Sequence, residues 1–366
     1  MKFLALYLPQ YHSIEENDSW WGKDYTEWTS VKAAKPLFYG HRQPKIPLNN
    51  YYYNLSDESG GIWKWQASLA NKYGIYGFCI YHYWFLGKKL LEKPIEILYN
   101  HPEIQIKYCF CWANESWTRT WYGKKNEILI KQEYGDSIQW EEHFLYLLKY
   151  FNDIRYIKVG NKPVMNIYRC GDIKNLENML ELWNKLAINN GYDGIYIVSS
   201  LNSINNIKYY TKQINAYYRF EPGYSTKNNL STLEYFRYNE KILKNKIYNR
   251  LFNTNVLERK INIDEIYKRI IKISKCNKNN NEKIYNGVFP MWDNTPRRGY
   301  LGTVYTGATP QKFYNLLKEI SKYTDNDDFI YINAWNEWGE GCYLEPDVET
   351  KYKYLEAINK IQIIRD

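Results

Sequence analysis

Short apolar runs of strand length recur along the chain, and nearly every one stops at a cluster of aromatic and polar residues. Residues 3–8 run into Pro9, Gln10, Tyr11 and His12. Residues 75–81 end at His82, Tyr83 and Trp84, and residues 104–111 at Trp112, Ala113, Asn114 and Glu115. Residues 162–168 close on Arg169, residues 194–198 form a fifth run, and residues 214–218 a weaker sixth that leads into Arg219, Phe220, Glu221 and Pro222. Residues 287–291 break into Trp292, Asp293, Asn294, Thr295, Pro296, Arg297 and Arg298. Residues 329–334 break into Trp335, Asn336, Glu337, Trp338, Gly339 and Glu340. Helical periodicity covers 62–73, 137–151 and 176–189 between these runs. Eight strands separated mostly by helices predict an α/β fold, a (β/α)8 TIM barrel in which residues 1–366 form one catalytic domain. Such barrels carry their active sites at the carboxyl ends of the strands, where the polar clusters fall. The segment 17–28, with Trp20, Trp21, Glu27 and Trp28 among Gly and Asp, reads as a loop with exposed aromatics.

Residues 226–285 interrupt the rhythm between strands six and seven. Helical patterns run through 233–251 and 263–273, with Ile and Leu on one side and Lys or Arg on the other. Fourteen Lys and Arg against six Asp and Glu give this stretch +8, nearly all of the chain's formal +9. Its ordinary reading is a solvated basic cap, and its functional reading a cationic surface for an anionic membrane or a phosphate-bearing acceptor. Nucleic acid is not expected, because no binding motif accompanies the charge.

Composition adds an aromatic surplus, 39 Tyr and 14 Trp in 366 residues, of a kind that sugar-binding sites use. A bias toward Lys, Asn, Ile and Tyr accounts for the tyrosines but not the tryptophans. The six Cys lack metal spacing and read as reduced core thiols. No secretory cleavage pattern follows the first apolar run, and no run approaches the ~18 apolar residues of a spanning helix, so a cytoplasmic protein is expected.

Glu337 and Glu340, three residues apart, present two carboxylates on one side of a turn. Glycosidic bond chemistry needs such a pair, one carboxyl protonated for the leaving oxygen and the other ionised as base, nucleophile or charge stabiliser. The neighbouring tryptophans, Trp335 among them, offer flat faces for a sugar ring. Tyr11, His12, Trp21, Glu27, His82, Tyr83, Trp84, Trp112, Asn114, Glu115, Arg119, Trp292, Asp293, Asn294, Arg297 and Asn336 are expected to bind substrate around them. A Glu beside an Arg in WANESWTR is equally read as an ion pair, and a lone His as structural. Arg297 and Arg298 offer planar forks suited to phosphate. Asp325, Asn326 and Asp327 have a metal-binding Asp-x-Asp form but lie before strand eight, on the opposite face, and read as a turn. Phosphate-binding Gly loops and zinc spacing are missing, so no cofactor and no metal are expected.

The stretches YLPQYH, NDSWWGKDYTEW, GHRQP at 40–44, GIYGFCIYHYWFLGK, CWANESWTRTW, WDNTPRR and WNEWGEGCYLEPD together resemble the WbsX-like glycosyltransferase family. That family is similar to glycoside hydrolase family 99, the endo-α-mannosidase group. The resemblance runs from Phe3 to about Tyr354 and is poorest over the insertion. It implies a (β/α)8 barrel and a role in surface polysaccharide or O-antigen assembly. In the hydrolase relatives the two Glu of the motif are the catalytic pair, and they fall on Glu337 and Glu340. There the first deprotonates the sugar 2-hydroxyl to give a 1,2-anhydro intermediate, and the second is acid/base. Three functions stay open: a glycan-biosynthetic enzyme acting on an oligosaccharide or activated sugar, a retaining endo-type glycoside hydrolase, and a catalytically silent carbohydrate-binding protein.

Overall fold

The computed structural model describes residues 1–118, 127–202, 211–228, 232–254, 256–257, 259–276 and 282–365. Eight strands form its centre: β1 Lys2–Tyr7, β2 Ile75–Phe85, β3 Lys107–Trp112, β4 Lys162–Ile167, β5 Tyr196–Leu201, β6 Ile214–Arg219, β7 Ile284–Val288 and β8 Phe329–Ile332. Each pairs in parallel with the next, and β8 pairs back onto β1 with Leu4 opposite Tyr331. The sheet is therefore closed, a (β/α)8 barrel as the apolar runs imply.

Closure explains the composition of the strands. A parallel strand covered by helices outside and by side chains within is buried on both faces. β1, β3, β4 and β8 are accordingly buried along almost their whole length. The barrel interior is filled by bulky side chains, among them Tyr218 and Tyr331, whose rings stack 4.1 Å apart. Cys79, Cys109 and Cys111 are free, buried thiols of this core.

Outside lie Gly61–Lys72, Lys93–Asn100, Ser137–Phe151 (α1), Leu176–Asn189, Pro310–Ser321 and Lys353–Arg365. The stretch 263–273 belongs to a helix of the same ring, Ile263–Cys276 (α2). It buries Ile263, Ile266, Tyr267, Ile270 and Ile273, and the Tyr267 hydroxyl donates to the carbonyls of Phe289 and Pro290 at 2.9 Å. Thr232–Phe252 leaves Phe236, Leu243, Ile247, Tyr248, Leu251 and Phe252 exposed instead. A short strand between them, Arg259–Asn262, pairs in parallel with Thr303–Thr306 beyond β7, so part of the inserted chain is tied to the rim.

The segment 17–28 departs from its sequence reading. It holds helix Glu15–Trp21 and the start of helix Glu27–Ala33, with Asn17, Tyr25, Glu27 and Trp28 buried. Its aromatics pack on the barrel mouth: Trp28 lies 4.6 Å from Tyr11 and 5.5 Å from Trp338, ring to ring. Asp325 accepts the amide of Asp328 in a turn at the amino end of β8, and Asp327 pairs with Lys2.

Candidate active site

A cavity of about 370 Å³ opens at the carboxyl end of the barrel. Residues in or after every strand line it: Leu8 and Gln10, Tyr81 and Tyr83, Ala113 and Glu115, Tyr168, Asn202, Phe220, Pro222, Gly223 and Thr226, Trp292, Asn294, Arg297 and Arg298, and Glu337 with Glu340. Its size suits a sugar unit or two.

At its floor one guanidinium holds three carboxylates. Arg297 reaches Glu27 through Nε at 3.0 Å, Glu337 through Nη2 at 2.9 Å and Glu340 through Nη1 at 3.0 Å. Glu27 and Glu337 are buried, and Glu340 is half-buried toward the cavity. Burial pushes the Glu337 carboxyl up to about 8, against the pull of Arg297, and the charges of Glu340 and Glu27 add to the rise. Burial raises Glu340 likewise, again opposed by Arg297. Three carboxylates share this one guanidinium, with Arg298 acting further on Glu340, and the crowding favours a proton on the cluster.

The backbone makes this crowding feasible at Gly339. A Cβ there would lie 2.1 Å from Glu27 Oε2 and 2.8 Å from Arg297 Nε. Tyr11 fixes the loop: its hydroxyl donates to the Asn336 carbonyl and accepts from the Trp338 amide at 3.2 Å, so it brackets Glu337. Asn336 is equally structural, with its side chain bonded to both the amide and the carbonyl of Leu8. Asp293 accepts from Gln43 and Thr295, shares a 2.7 Å contact with His41, and donates its amide to the Glu340 carbonyl at 2.8 Å. Burial works to raise its carboxyl, but the His41 and Thr295 bonds hold it down. An ionised Asp293 thereby anchors the helical turn Thr295–Arg298 that carries Arg297.

Several expected ligands do not meet the cavity. β2 runs four residues past 81, so His82 and Trp84 are strand positions and alternate with Tyr81 and Tyr83. The tyrosines face in, whereas His82 and Trp84 pack on His143 of α1, at 2.9 Å by hydrogen bond and 4.6 Å by ring stacking. Burial pushes His82 down to about 3. Trp112 also points outward, edge-on to His143. Asn114 is buried and ties β3 to the Arg169 backbone. His12 is buried beside the cavity, its ring pushed down to about 4. Trp21 lies half-buried near Tyr25, away from the lining. Trp335 packs on Phe78 within the core, and Trp338 stacks on Tyr343 at 3.7 Å while donating to Glu345 at 2.7 Å, so neither offers a face to sugar. Arg119 lies outside the described residues. Glu27, Tyr83, Glu115, Trp292, Asn294, Arg297, Glu337 and Glu340 do line the cavity, with Glu115 paired to Arg169 at 3.0 Å.

The lining also holds Arg298, read from the sequence as a fork for phosphate, and residues the sequence reading passed over, notably Tyr81, Tyr168, Phe220, Tyr305 and Arg259. Tyr81 was signalled by its two-residue offset from Tyr83. Arg259 had no local signal, because only the pairing of Arg259–Asn262 with Thr303–Thr306 brings it to the rim.

Comparison with known proteins bears on the family and the fold. Residues 3–358 match the family model described as Glycosyltransferase WbsX. The uncharacterized protein WxcX of Xanthomonas campestris pv. campestris is 32% identical over 361 residues in one strain and 31% in another, covering 97% of this chain and 48% of theirs. The chain thus spans about half the length of those relatives. A GH99 endo-alpha-mannosidase from Bacteroides thetaiotaomicron superposes with a TM-score of 0.58 at 14% identity, covering 99% of this chain and 97% of that one. A structure described as a glycoside hydrolase-like protein gives 0.60 at 13% identity over 98% and 93%. At these identities the structural likeness establishes the barrel.

Proposed function

The chain belongs to the WbsX glycosyltransferase family, and from that premise we propose that it forms or processes a glycosidic bond in the assembly of a bacterial surface polysaccharide, O-antigen or capsule. As a carbohydrate-active enzyme it needs one proton donor and one acceptor at the scissile bond. The observation that carries the reading is the Arg297 clamp, which holds Glu337 and Glu340 together at the cavity floor, where burial raises both carboxyls toward the protonated form. The protonated carboxyl delivers its proton to the leaving oxygen as the anomeric C–O bond breaks. The ionised one takes the proton of the incoming hydroxyl as the new C–O bond forms. Arg297 limits the negative charge while the proton moves. With a sugar hydroxyl as acceptor the outcome is transfer, and with water it is hydrolysis. The paired carboxylates serve either, which keeps a retaining endo-type hydrolase as the second reading. Tyr81, Tyr83, Tyr168 and Trp292 supply the stacking faces first sought in Trp335. The reduced core thiols favour a cytoplasmic setting.

Panels of nucleotide sugars with saccharide acceptors, and of oligosaccharides alone, test this. Product growth or new reducing ends are expected with the native chain. Glu337→Gln and Glu340→Gln are expected to lower turnover by ~10²- to 10⁴-fold with the fold intact, because an amide transfers no proton. Saccharide retention without turnover in every panel would leave a binding protein.

The same reading extends to the lipid surface on which such polymers are assembled. Exposed Leu243, Ile247 and Leu251 beside exposed Lys244, Lys246 and Arg250 on Thr232–Phe252 support peripheral contact with an anionic membrane or its lipid-linked acceptor.

A further inference from the structure

The charges of the cavity are divided. Its acidic floor is ion-paired internally, Glu27, Glu337 and Glu340 with Arg297, and Glu115 with Arg169. On the rim stand two further arginines, Arg259 from the inserted strand and Arg298 from the turn after β7. Both have a buried Nε without a hydrogen-bond partner. Among the described residues no carboxylate lies within ion-pairing distance of either guanidinium.

Their placement is built. Arg259 stands opposite Thr303 in the parallel pairing of Arg259–Asn262 with Thr303–Thr306. The Asn294 side chain accepts the Thr303 amide at 2.7 Å, and the Asn294 carbonyl accepts the Arg298 amide at 3.1 Å. Both arginines thus hang from the Thr303–Asn294 junction. Two like charges held side by side and partly dehydrated are unfavourable unless an anion bridges them.

We infer that Arg259 and Arg298 form an anion subsite that takes a phosphate or diphosphate group carried by the saccharide substrate. The inference rests on the glycan-processing reading for the word saccharide, but not for the anion. Guanidinium forks match phosphate oxygens in pairs, and two forks match a diphosphate better than the single charge of a sugar carboxylate. Burial, and next to it the Arg259 charge, lower the Arg298 guanidinium from its ordinary value, as expected of a cation short of counter-charge. Glu340 acts on it in the opposite sense from across the cavity but is already paired with Arg297. Neutral sugar rings would lie over Tyr81, Tyr83 and Trp292, with the charged end toward the inserted strand.

Calorimetric titration of the full chain with inorganic pyrophosphate tests the subsite. Binding is expected, weakened about ten- to a hundredfold by Arg259→Gln or Arg298→Gln, since a hydrogen bond to a charged group is lost in each. Arg298→Lys, which keeps the charge without the fork, should fall between. The melting temperatures of the Gln variants are expected to match or exceed the native value, because each relieves a like-charge contact. Uridine diphosphate and farnesyl diphosphate then identify the source, nucleotide or lipid, and a gain over pyrophosphate with either supports the subsite. Pyrophosphate affinity unchanged in both Gln variants, or glucuronate bound more tightly than pyrophosphate, overturns it. In that case loss of saccharide turnover in Glu337→Gln still upholds the bond chemistry. Arginine-dependent pyrophosphate binding without any saccharide turnover would uphold the subsite and sink the glycan reading.

Discussion

Arg297 decides what the two catalytic candidates can do, because three carboxylates compete for its single charge. Glu337, raised to about 8, is protonated in the folded chain over a range in which it would be ionised in the unfolded one. Glu345 behaves alike at about 7, buried beneath the same loop where it accepts from Tyr53, Gln66 and Trp338. A carboxyl whose folded value is raised contributes stability that is fully present below its ordinary value and lost as pH rises through the folded value. The buried histidines His12, His82 and His143, lowered by burial, act in the opposite sense as pH falls below their ordinary 6.5. About a unit above 6.5 those histidines are neutral in both states, and the raised carboxyls, Glu221 at about 7 among them, dominate, joined by His101, which its bonds to Glu58 and Glu103 raise. The melting temperature is therefore expected to fall between pH 6.5 and 8, and Glu337→Gln to flatten that fall by up to ~1.4 kcal/mol per pH unit. A native melting curve flat across that window would contradict the protonated cluster. Turnover is expected to decline above the upper apparent value of the pair, near 8, a value that belongs to the pair and not to one Glu. Much of this cluster was legible beforehand, since Glu337, Glu340 and Arg297 are polar residues at strand ends. Glu345 was not, because nothing in LEPD distinguishes a buried carboxylate from an exposed one.

The turn Trp338–Glu340 shows how an element can be set by its smallest residue. With Trp338 stacked on Tyr343 and Tyr11 bracketing Glu337, the loop cannot retreat from Arg297. A methyl group at Gly339 would then displace Glu27 from the guanidinium. Gly339→Ala is expected to cost ~3–5 kcal/mol, the range for breaking a buried ion pair, and to reduce turnover with it. Denaturant melts and assays of that variant check both, and native values for both would mean the clamp tolerates the methyl. No sequence rule exposes such a constraint, since the colliding atoms come from residues 27 and 297. The elements themselves were more legible. Apolar runs located all eight strands, though the seventh, read at 287–291, lies at Ile284–Val288, and the helices 137–151 and 176–189 matched in full. The errors came where tertiary packing overrides local composition. Residues 17–28 look like a loop until Trp28 finds Tyr11 and Trp338. The third strand begins at Lys107 because Ile104 and Ile106 are buried in the turn before it. β2 continues past Tyr81 as a hairpin with Lys88–Leu90, and that extension reversed the expected facing of His82 and Trp84.

At the scale of the molecule, helix Thr232–Phe252 stands out for the large apolar side chains it leaves exposed among the described residues. Thr232–Phe252 exposes Leu243, Ile247 and Leu251, spaced four apart on one line, with Lys244, Lys246 and Arg250 exposed among them. Its partner in the insertion, α2, has an apolar face and buries it against the barrel. Among the described residues no helix is long and apolar enough to cross a membrane. Each basic residue near an anionic surface contributes ~1 kcal/mol, and the contribution fades as salt brings the screening length to ~8 Å. Insertion of the leucines adds an apolar term that salt does not screen. Sedimentation with vesicles separates the two. The native chain is expected to pellet with anionic vesicles at low salt and less at physiological salt. Joint replacement of Lys244, Lys246 and Arg250 by Gln should abolish the charge dependence, whereas Leu243→Ser with Leu251→Ser should remove the salt-resistant remainder. Binding that ignores lipid charge, salt and both sets of substitutions would leave Thr232–Phe252 as a solvated basic helix.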